Sequence, residues 1–222
     1  MDEMKESYER EELDAVFTEL LPYYRAAAAK ALGGESVDRV LSRASADFAA
    51  LVPDIPFVGS LQYPLARDLI ESAVALSFYR ALKDLGMTTG DAGQVILDAA
   101  DIACRAVPQE IQIAQGEQQF TPEWYGVQEV VSRESHKRLY PGDWVFDFVA
   151  GEPGSFDWGW DFTECGICKF FEKQGAAELI PYMCEQDFII SEYQGTGLVR
   201  TTTLAEGAER CDFRYKKGRR VR

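Results

Sequence analysis

A chain of 222 residues with a single histidine, His136, leaves little room for imidazole chemistry. No His-rich metal motif can form, and a Cys–His dyad has only this one candidate. Its setting, Ser135-His136-Lys137-Arg138 at a helix end, reads as a surface partner of the helix dipole. No apolar run approaches the roughly 18–20 residues that a membrane span needs, so no membrane partner is expected. Phosphate-cradling glycine loops and a Gly-x-Ser-x-Gly elbow are both missing. Positive charge is scarce as well: 23 Lys and Arg face 37 Asp and Glu, for a net charge of −14. Arg214, Lys216, Lys217, Arg219, Arg220 and Arg222 concentrate much of that positive charge at one end. The acidic remainder repels phosphate backbones, so no nucleic-acid partner is expected. Residues 217–222 read as a basic, disordered tail.

The first ten residues are charged and acidic, unlike a secretory signal, so the expected location is the cytoplasm. Five cysteines there read as reduced thiols rather than a disulfide framework. A hydrophobic fraction of 46% and this length suffice for one full core. A single α+β domain is expected over 1–213, helical to about 140 and sheet-containing from about 141 to 216.

Apolar spacing supports five helices in the first half. They span Glu3 to Leu32, a stretch opened by Ser36 as N-cap, Pro64 to Leu85, Asp91 to Ala106, and Thr121 to Arg138. Gly33-Gly34, Gly86 and Pro141-Gly142 supply stops, and Thr121-Pro122-Glu123 a strong start. The period then changes. Asp143 to Ala150 and Ser155 to Thr163 alternate aromatic residues around Gly151-Glu152-Pro153-Gly154, which predicts a β-hairpin. Cys165 to Gln174 and Pro181 to Gln194 predict helices, then Gly197 to Leu204 and Glu209 to Lys216 predict strands. The expected fold class is α+β: a helical half packed with a four-stranded antiparallel sheet and two helices, in the order ββααββ. The hairpin tryptophans Trp158 and Trp160 either pack sheet against helices or stack on a ring substrate.

Chemistry concentrates late in the chain, where four of the five cysteines lie: Cys165-Gly-Ile-Cys168, Cys184 and Cys211. Cys104, on the apolar face of a helix, reads as core. Cys165 at a helix N-terminus is the best reactive thiol by local electrostatics. Cys184 precedes Asp187 by three residues and Glu192 by eight, a spacing that lets all three share one helix face. The acid beside Cys184 tends to raise its pKa unless a cation such as Arg200 or Arg210 is near. On its strand, Cys211 faces in, Asp212 out and Phe213 in. A tetrahedral zinc site on Cys165, Cys168, Cys184 and Cys211 is the metal alternative, with spacing unlike compact zinc ribbons. A thioredoxin-like role is disfavoured by the hairpin that precedes the C-x-x-C.

These residues also carry a resemblance. Leu198-Val-Arg-Thr-Thr-Thr-Leu-Ala-Glu-Gly207 followed by Cys211-Asp-Phe-Arg-Tyr215 resembles the C-terminal signature of the L-2-amino-thiazoline-4-carboxylic acid hydrolase family. Thr163-Glu164-Cys165 and Pro181-Tyr-Met-Cys184 with Asp187 match that family's pattern in the same order, over roughly Trp144 to Tyr215. The closing strands also resemble, more weakly, four-vinyl-reductase ligand-binding domains.

The first resemblance implies a hydrolase opening a C–N bond of a small cyclic amidine or related amino-acid-like heterocycle, with N-carbamoyl-cysteine as the namesake product. Cys184, Asp187, Cys211 and Asp212 become the expected catalytic residues. Cys165, Glu192, Arg200, Thr201 and Thr203 become the expected substrate-binding residues, with Arg200 as anion anchor. No cofactor is expected, with zinc the alternative. The expected partner is a small-molecule substrate, and a homo-oligomer is left open. The second resemblance implies a non-catalytic small-ligand or zinc-binding module.

Overall fold

The computed structural model describes residues 7–221, so the expected helical residues 3–6 and the last residue of the basic end lie outside them. Its helices are α1 (Arg10–Ala31), α2 (Gly34–Leu51), α3 (Pro64–Asp84), α4 (Thr89–Ala106), α5 (Gln109–Gln118), α6 (Pro122–Ser135), α7 (Gly166–Lys173) and α8 (Ile180–Gln194). Its strands are β1 (Val145–Glu152), β2 (Phe156–Glu164), β3 (Leu198–Val199) and β4 (Cys211–Tyr215), an α+β architecture. The sheet is antiparallel throughout, in the order β1-β2-β4-β3. No helix among the described residues is long and apolar enough to cross a membrane.

Helix α3 is the axle of the helical half. Thirteen of its residues are buried, on every side, including Leu69, Ile70, Leu76, Phe78 and Leu82. Small residues at Ala66, Ala73, Ala75 and Ala81 let its neighbours approach closely. Against it lie α1, α2 and α4, with Phe17, Phe48, Tyr24 and Phe78 stacked in one aromatic cluster.

Helix α5, which brings this half to six helices rather than five, was not expected from the sequence, because it has no apolar stripe. Its buried residues are Gln112 and Gly116. Gln112 Nε2 donates to the carbonyls of Cys104 and Val107 at 3.0 Å each, closing the end of α4. At Gly116 a Cβ would meet the Gln194 carbonyl oxygen at 2.0 Å, so only glycine lets α5 lie against α8. Both features are tertiary, invisible to a period of 3.6.

Across the sheet, side chains line up in rows: Phe146–Phe162–Cys211, Phe148–Trp160–Phe213 and Ala150–Trp158–Tyr215. Trp158 is fully buried, stacked on Tyr215 at 3.9 Å and beside Trp124 of α6 at 4.3 Å. The predicted strand Gly197–Leu204 contracts to the two residues of β3. Asp212 explains this: its Oδ1 accepts the N–H groups of Thr201 and Thr202 at 2.8 and 2.6 Å, curling the chain out of the ladder. The basic end, expected to be disordered from 217, is tied to the body at its first residues. Lys217 N–H donates to Asp157 at 2.8 Å, its ammonium meets Glu117 at 3.0 Å, and Gly218 N–H reaches the Gly195 carbonyl.

Candidate active site

Between α3, α6, α7, α8 and the aromatic face of the sheet lies a cavity of about 570 Å³. Four cysteines line it: Cys165, Cys168, Cys184 and Cys211. So do Asp68 of α3 and Asp187 of α8. Its apolar lining includes Trp124, Val131, Phe146 and Trp160.

Cys165 sits where β2 hands over to α7, as the N-cap residue of that helix. Gly166 makes the handover tight, since a Cβ there would meet the Gly142 carbonyl at 2.5 Å and the Trp144 ring at 2.7 Å. The Cys165 sulfur faces the Cys168 thiol and the amides of Cys168 and Ile167, and these hold its pKa below the ordinary thiol value against the cost of burial. The same partnership, together with burial, pushes the Cys168 thiol upward.

Cys184 and Asp187 come together in the cavity wall, one helical turn apart. Burial and the Asp187 carboxylate push the Cys184 thiol up to about 12, although Arg200 opposes them. At neutral pH Cys184 is therefore a neutral thiol. Arg200 lies behind that wall. Its guanidinium donates to Asp187 Oδ2 at 2.6 Å and to the Cys184 carbonyl at 2.8 Å. The Phe188 and Phe213 rings each lie 4.8 Å from it. The Arg200 side chain is 2% exposed and that of Asp187 38%, so the carboxylate faces the cavity and screens the cation. Burial raises the Asp187 pKa even though Arg200 pulls it down. Cys211, buried on β4, accepts the Leu204 N–H at 3.2 Å, and desolvation raises its pKa too.

Asp68 was not anticipated from the sequence, where it reads as one more charge on an amphipathic helix. Asp68 lines the cavity and is exposed there, next to the buried Leu69 and Ile70. Desolvation, with Glu71 and Asp187 nearby, pushes its pKa up to about 8. The adjacent Arg67 gives little relief, being committed to Glu19 at 2.8 Å and Glu71 at 2.7 Å. The signal for Asp68 is an acid on a helix with thirteen buried residues, and that emerges only once α3 is known to be central.

Other expected site residues fall elsewhere. Glu192 opens into a separate shallow groove with Asp98, Asp101 and Glu185, because five residues after Asp187 is about 140° around the helix. Asp212 turns to the opposite sheet face from Cys211 and holds the Thr201–Thr202 loop; burial opposes its ionisation, but those donors outweigh it and its pKa is lowered. Thr201 is bound by Asp212, and Thr203 caps the turn at Glu206. Neither threonine lines the cavity. His136 is outside it, 2.9 Å from Asp147. Among the described residues, no group of three or more His, Cys, Asp or Glu side chains is placed to hold a metal ion. The four sulfurs line one cavity without converging as a ligand set.

The fold and this cavity define an α+β protein with a thiol-lined pocket closed by an aromatic sheet. The chain belongs to the L-2-amino-thiazoline-4-carboxylic acid hydrolase family, whose model matches residues 67–215. That span takes in Asp68, Arg200 and all four cavity cysteines. No curated protein and no solved structure matches the chain.

Proposed function

We propose that the chain is a hydrolase that opens a cyclic amidine or related heterocycle by attack at the amidine carbon. Cys165 acts as nucleophile and Asp68 as proton donor. The observation that carries this reading is the placing of Cys165 at the N-cap of α7, in a cavity that it shares with Cys168 and Asp68. Family membership supports hydrolysis as the reaction type.

The Cys165 thiolate adds to the carbon between the ring heteroatoms, and the C=N electron pair moves to nitrogen, which takes the Asp68 proton. The tetrahedral carbon then expels one ring heteroatom. A water adds to the Cys165-bound carbon, the thiolate leaves, and the net consumption is one water. For the namesake compound, breaking the ring C–S bond yields N-carbamoyl-cysteine, whereas breaking the ring C–N bond yields S-carbamoyl-cysteine. C–N cleavage and the N-carbamoyl product are thus two outcomes of one attack rather than a single reaction. Asp187 and Arg200 position the wall that carries Cys184.

The test is turnover of a panel of 2-amino-thiazolines, with the product thiol titrated and the protein mass measured during turnover. A carbamimidoyl-type adduct on Cys165, lost in Cys165→Ser, supports the reading. Undiminished turnover by Cys165→Ser would sink it. A protein that binds such compounds without turning any over would instead support the small-ligand-binding alternative.

A further inference from the structure

We propose that Cys165 and Cys168 form a modification site: a peroxide oxidises them to an intramolecular disulfide, and a dithiol reopens it. The consequence for turnover, loss of the nucleophile, rests on the hydrolase reading above. The disulfide itself does not.

Placement comes first. Cys165 caps α7 in extended backbone, and Cys168 follows within the first turn of that helix. The Lys169 N–H closes the turn on the Cys165 carbonyl at 3.1 Å. Helix geometry sets Cα atoms three residues apart at about 5 Å, inside the roughly 4.4–6.8 Å that a disulfide spans. The thiols already act on each other, since the Cys168 thiol is the largest influence lowering the Cys165 pKa.

The frame around the pair is fixed. Gly166 fits closely against Gly142 and Trp144, and Phe170 and Phe171 bury the other side of α7. The Lys169 ammonium donates to the Asp143 carbonyl at 2.7 Å and pairs with Glu164. The helix therefore keeps the two cysteines together while their side chains rotate.

Selectivity is the third observation. All five thiols are free, and Cys165 and Cys168 are both partly exposed in a cavity roomy enough for a peroxide. No other cysteine has a second thiol within its own turn or strand. One turn after Cys184 comes Asp187, and the Cys211 sulfur already accepts the Leu204 N–H. Cys104 does not line the cavity. A thioredoxin-like carrier needs a different fold around its C-x-x-C, but an internal switch needs only a resolving thiol within reach.

The step balances with one peroxide. The Cys165 thiolate attacks a peroxide oxygen, the O–O bond breaks, and the departing hydroxide takes a proton to leave as water. Cys168 sulfur then attacks the sulfenic sulfur of Cys165, the S–O bond breaks, and the hydroxyl leaves with the Cys168 proton as a second water. Two thiols are oxidised to one disulfide, and one peroxide is reduced to two waters. By closing on Cys165, Cys168 keeps it from irreversible over-oxidation.

Reduced, desalted full chain would be treated with hydrogen peroxide at pH 7, quenched with iodoacetamide and digested with trypsin. Cleavage after Arg138 and Lys169 leaves both cysteines in one peptide. That peptide should lose about 2 Da and take up no iodoacetamide, and dithiothreitol should restore both thiols. Closure should run at least about tenfold faster than oxidation of Cys104. In Cys168→Ala, Cys165 should instead reach the sulfinic acid, about 32 Da heavier, which dithiothreitol does not reverse. The wild-type measurement decides even if that variant fails to fold. A wild-type peptide that keeps both thiols, that reaches the sulfinic acid without closing, or in which Cys165 pairs with Cys184 or Cys211 would overturn the proposal. These masses are read without substrate, so a chain that closes the disulfide yet hydrolyses nothing defeats the hydrolase reading alone. Full turnover after complete closure would overturn the switch.

Discussion

Helices α3 and α8 are both rich in apolar residues, and they are used in opposite ways. Thirteen residues of α3 are buried, and protein packs it on every side. Only Ile180 and Ser191 of α8 are buried, although that helix runs between α4, α5 and β3. Met183, Cys184, Asp187 and Ile190 stay open because they face the cavity rather than a neighbouring element. An apolar helix that protein does not bury is a wall awaiting a ligand, and α3 joins that wall only at its start, through Pro64, Leu65 and Asp68. The dry axle thus stabilises, and the open wall reacts.

Four experiments would break or sharpen this contrast, beginning with the largest effect. Within the open wall, the two candidate nucleophiles differ in the charge state their surroundings favour. Cys165→Ser should lower kcat about a thousandfold or more, while Cys184→Ser should stay within about tenfold. Steady-state kinetics on an accepted substrate reads both, and the reverse ranking would return the chemistry to the Cys184–Asp187 pair.

Stability should divide along the same line. Leu76→Ala in the axle removes a fully buried side chain and should cost about 2–5 kcal/mol. Met183→Ala in the wall leaves no new sealed void and should cost less than about 1 kcal/mol. Equal shifts in urea midpoint would mean that the wall is as tightly packed as the axle.

A pair of glycines tests what holds the back of α8. Gly116→Ala drives a methyl into the Gln194 carbonyl and should destabilise by about 1–3 kcal/mol. Gly126→Ala in α6 meets nothing within 4 Å and should stabilise by about 0.5–1 kcal/mol. Thermal melts of the two variants should therefore move in opposite directions.

The smallest effect concerns Asp68. Its folded-state pKa of about 8 lies above the unfolded value near 3.9, so the folded chain holds a proton that the unfolded chain releases in between. Stability is lost as pH rises through that window. Asp68→Asn removes the dependence, so its advantage over the parent should grow from pH 4 to pH 8. Discounted for water in the cavity, that advantage should be on the order of 1 kcal/mol. A constant difference across the range would show that Asp68 titrates normally.

Much of the molecule was legible in its residues. Thr121-Pro122 marked the start of α6, the alternating aromatics marked the hairpin, and Cys165 stood out as a thiol at a helix start. Local rules decide such features: a cap satisfies amides within its own turn, and a strand's period is two wherever it lies. Helix α5 was not legible, because Gly116 and Gln112 matter only through Gln194 and the end of α4. Nor was the break after β3, which depends on a side chain eleven residues away in sequence.

The cysteines show the same division most sharply. Sequence alone established that thiols and acids crowd one quarter of the chain, and that a helix N-terminus lies at Cys165. Tertiary structure decided that those thiols share one cavity with Asp68 and Asp187, and that Arg200 is paired with Asp187 and almost wholly covered. The reason is physical: helix starts and residue classes are set by near neighbours along the chain. Desolvation and charge pairing depend on what surrounds a group in space, and here that is settled by α3, α7, α8 and β4, which lie up to about 150 residues apart in the chain.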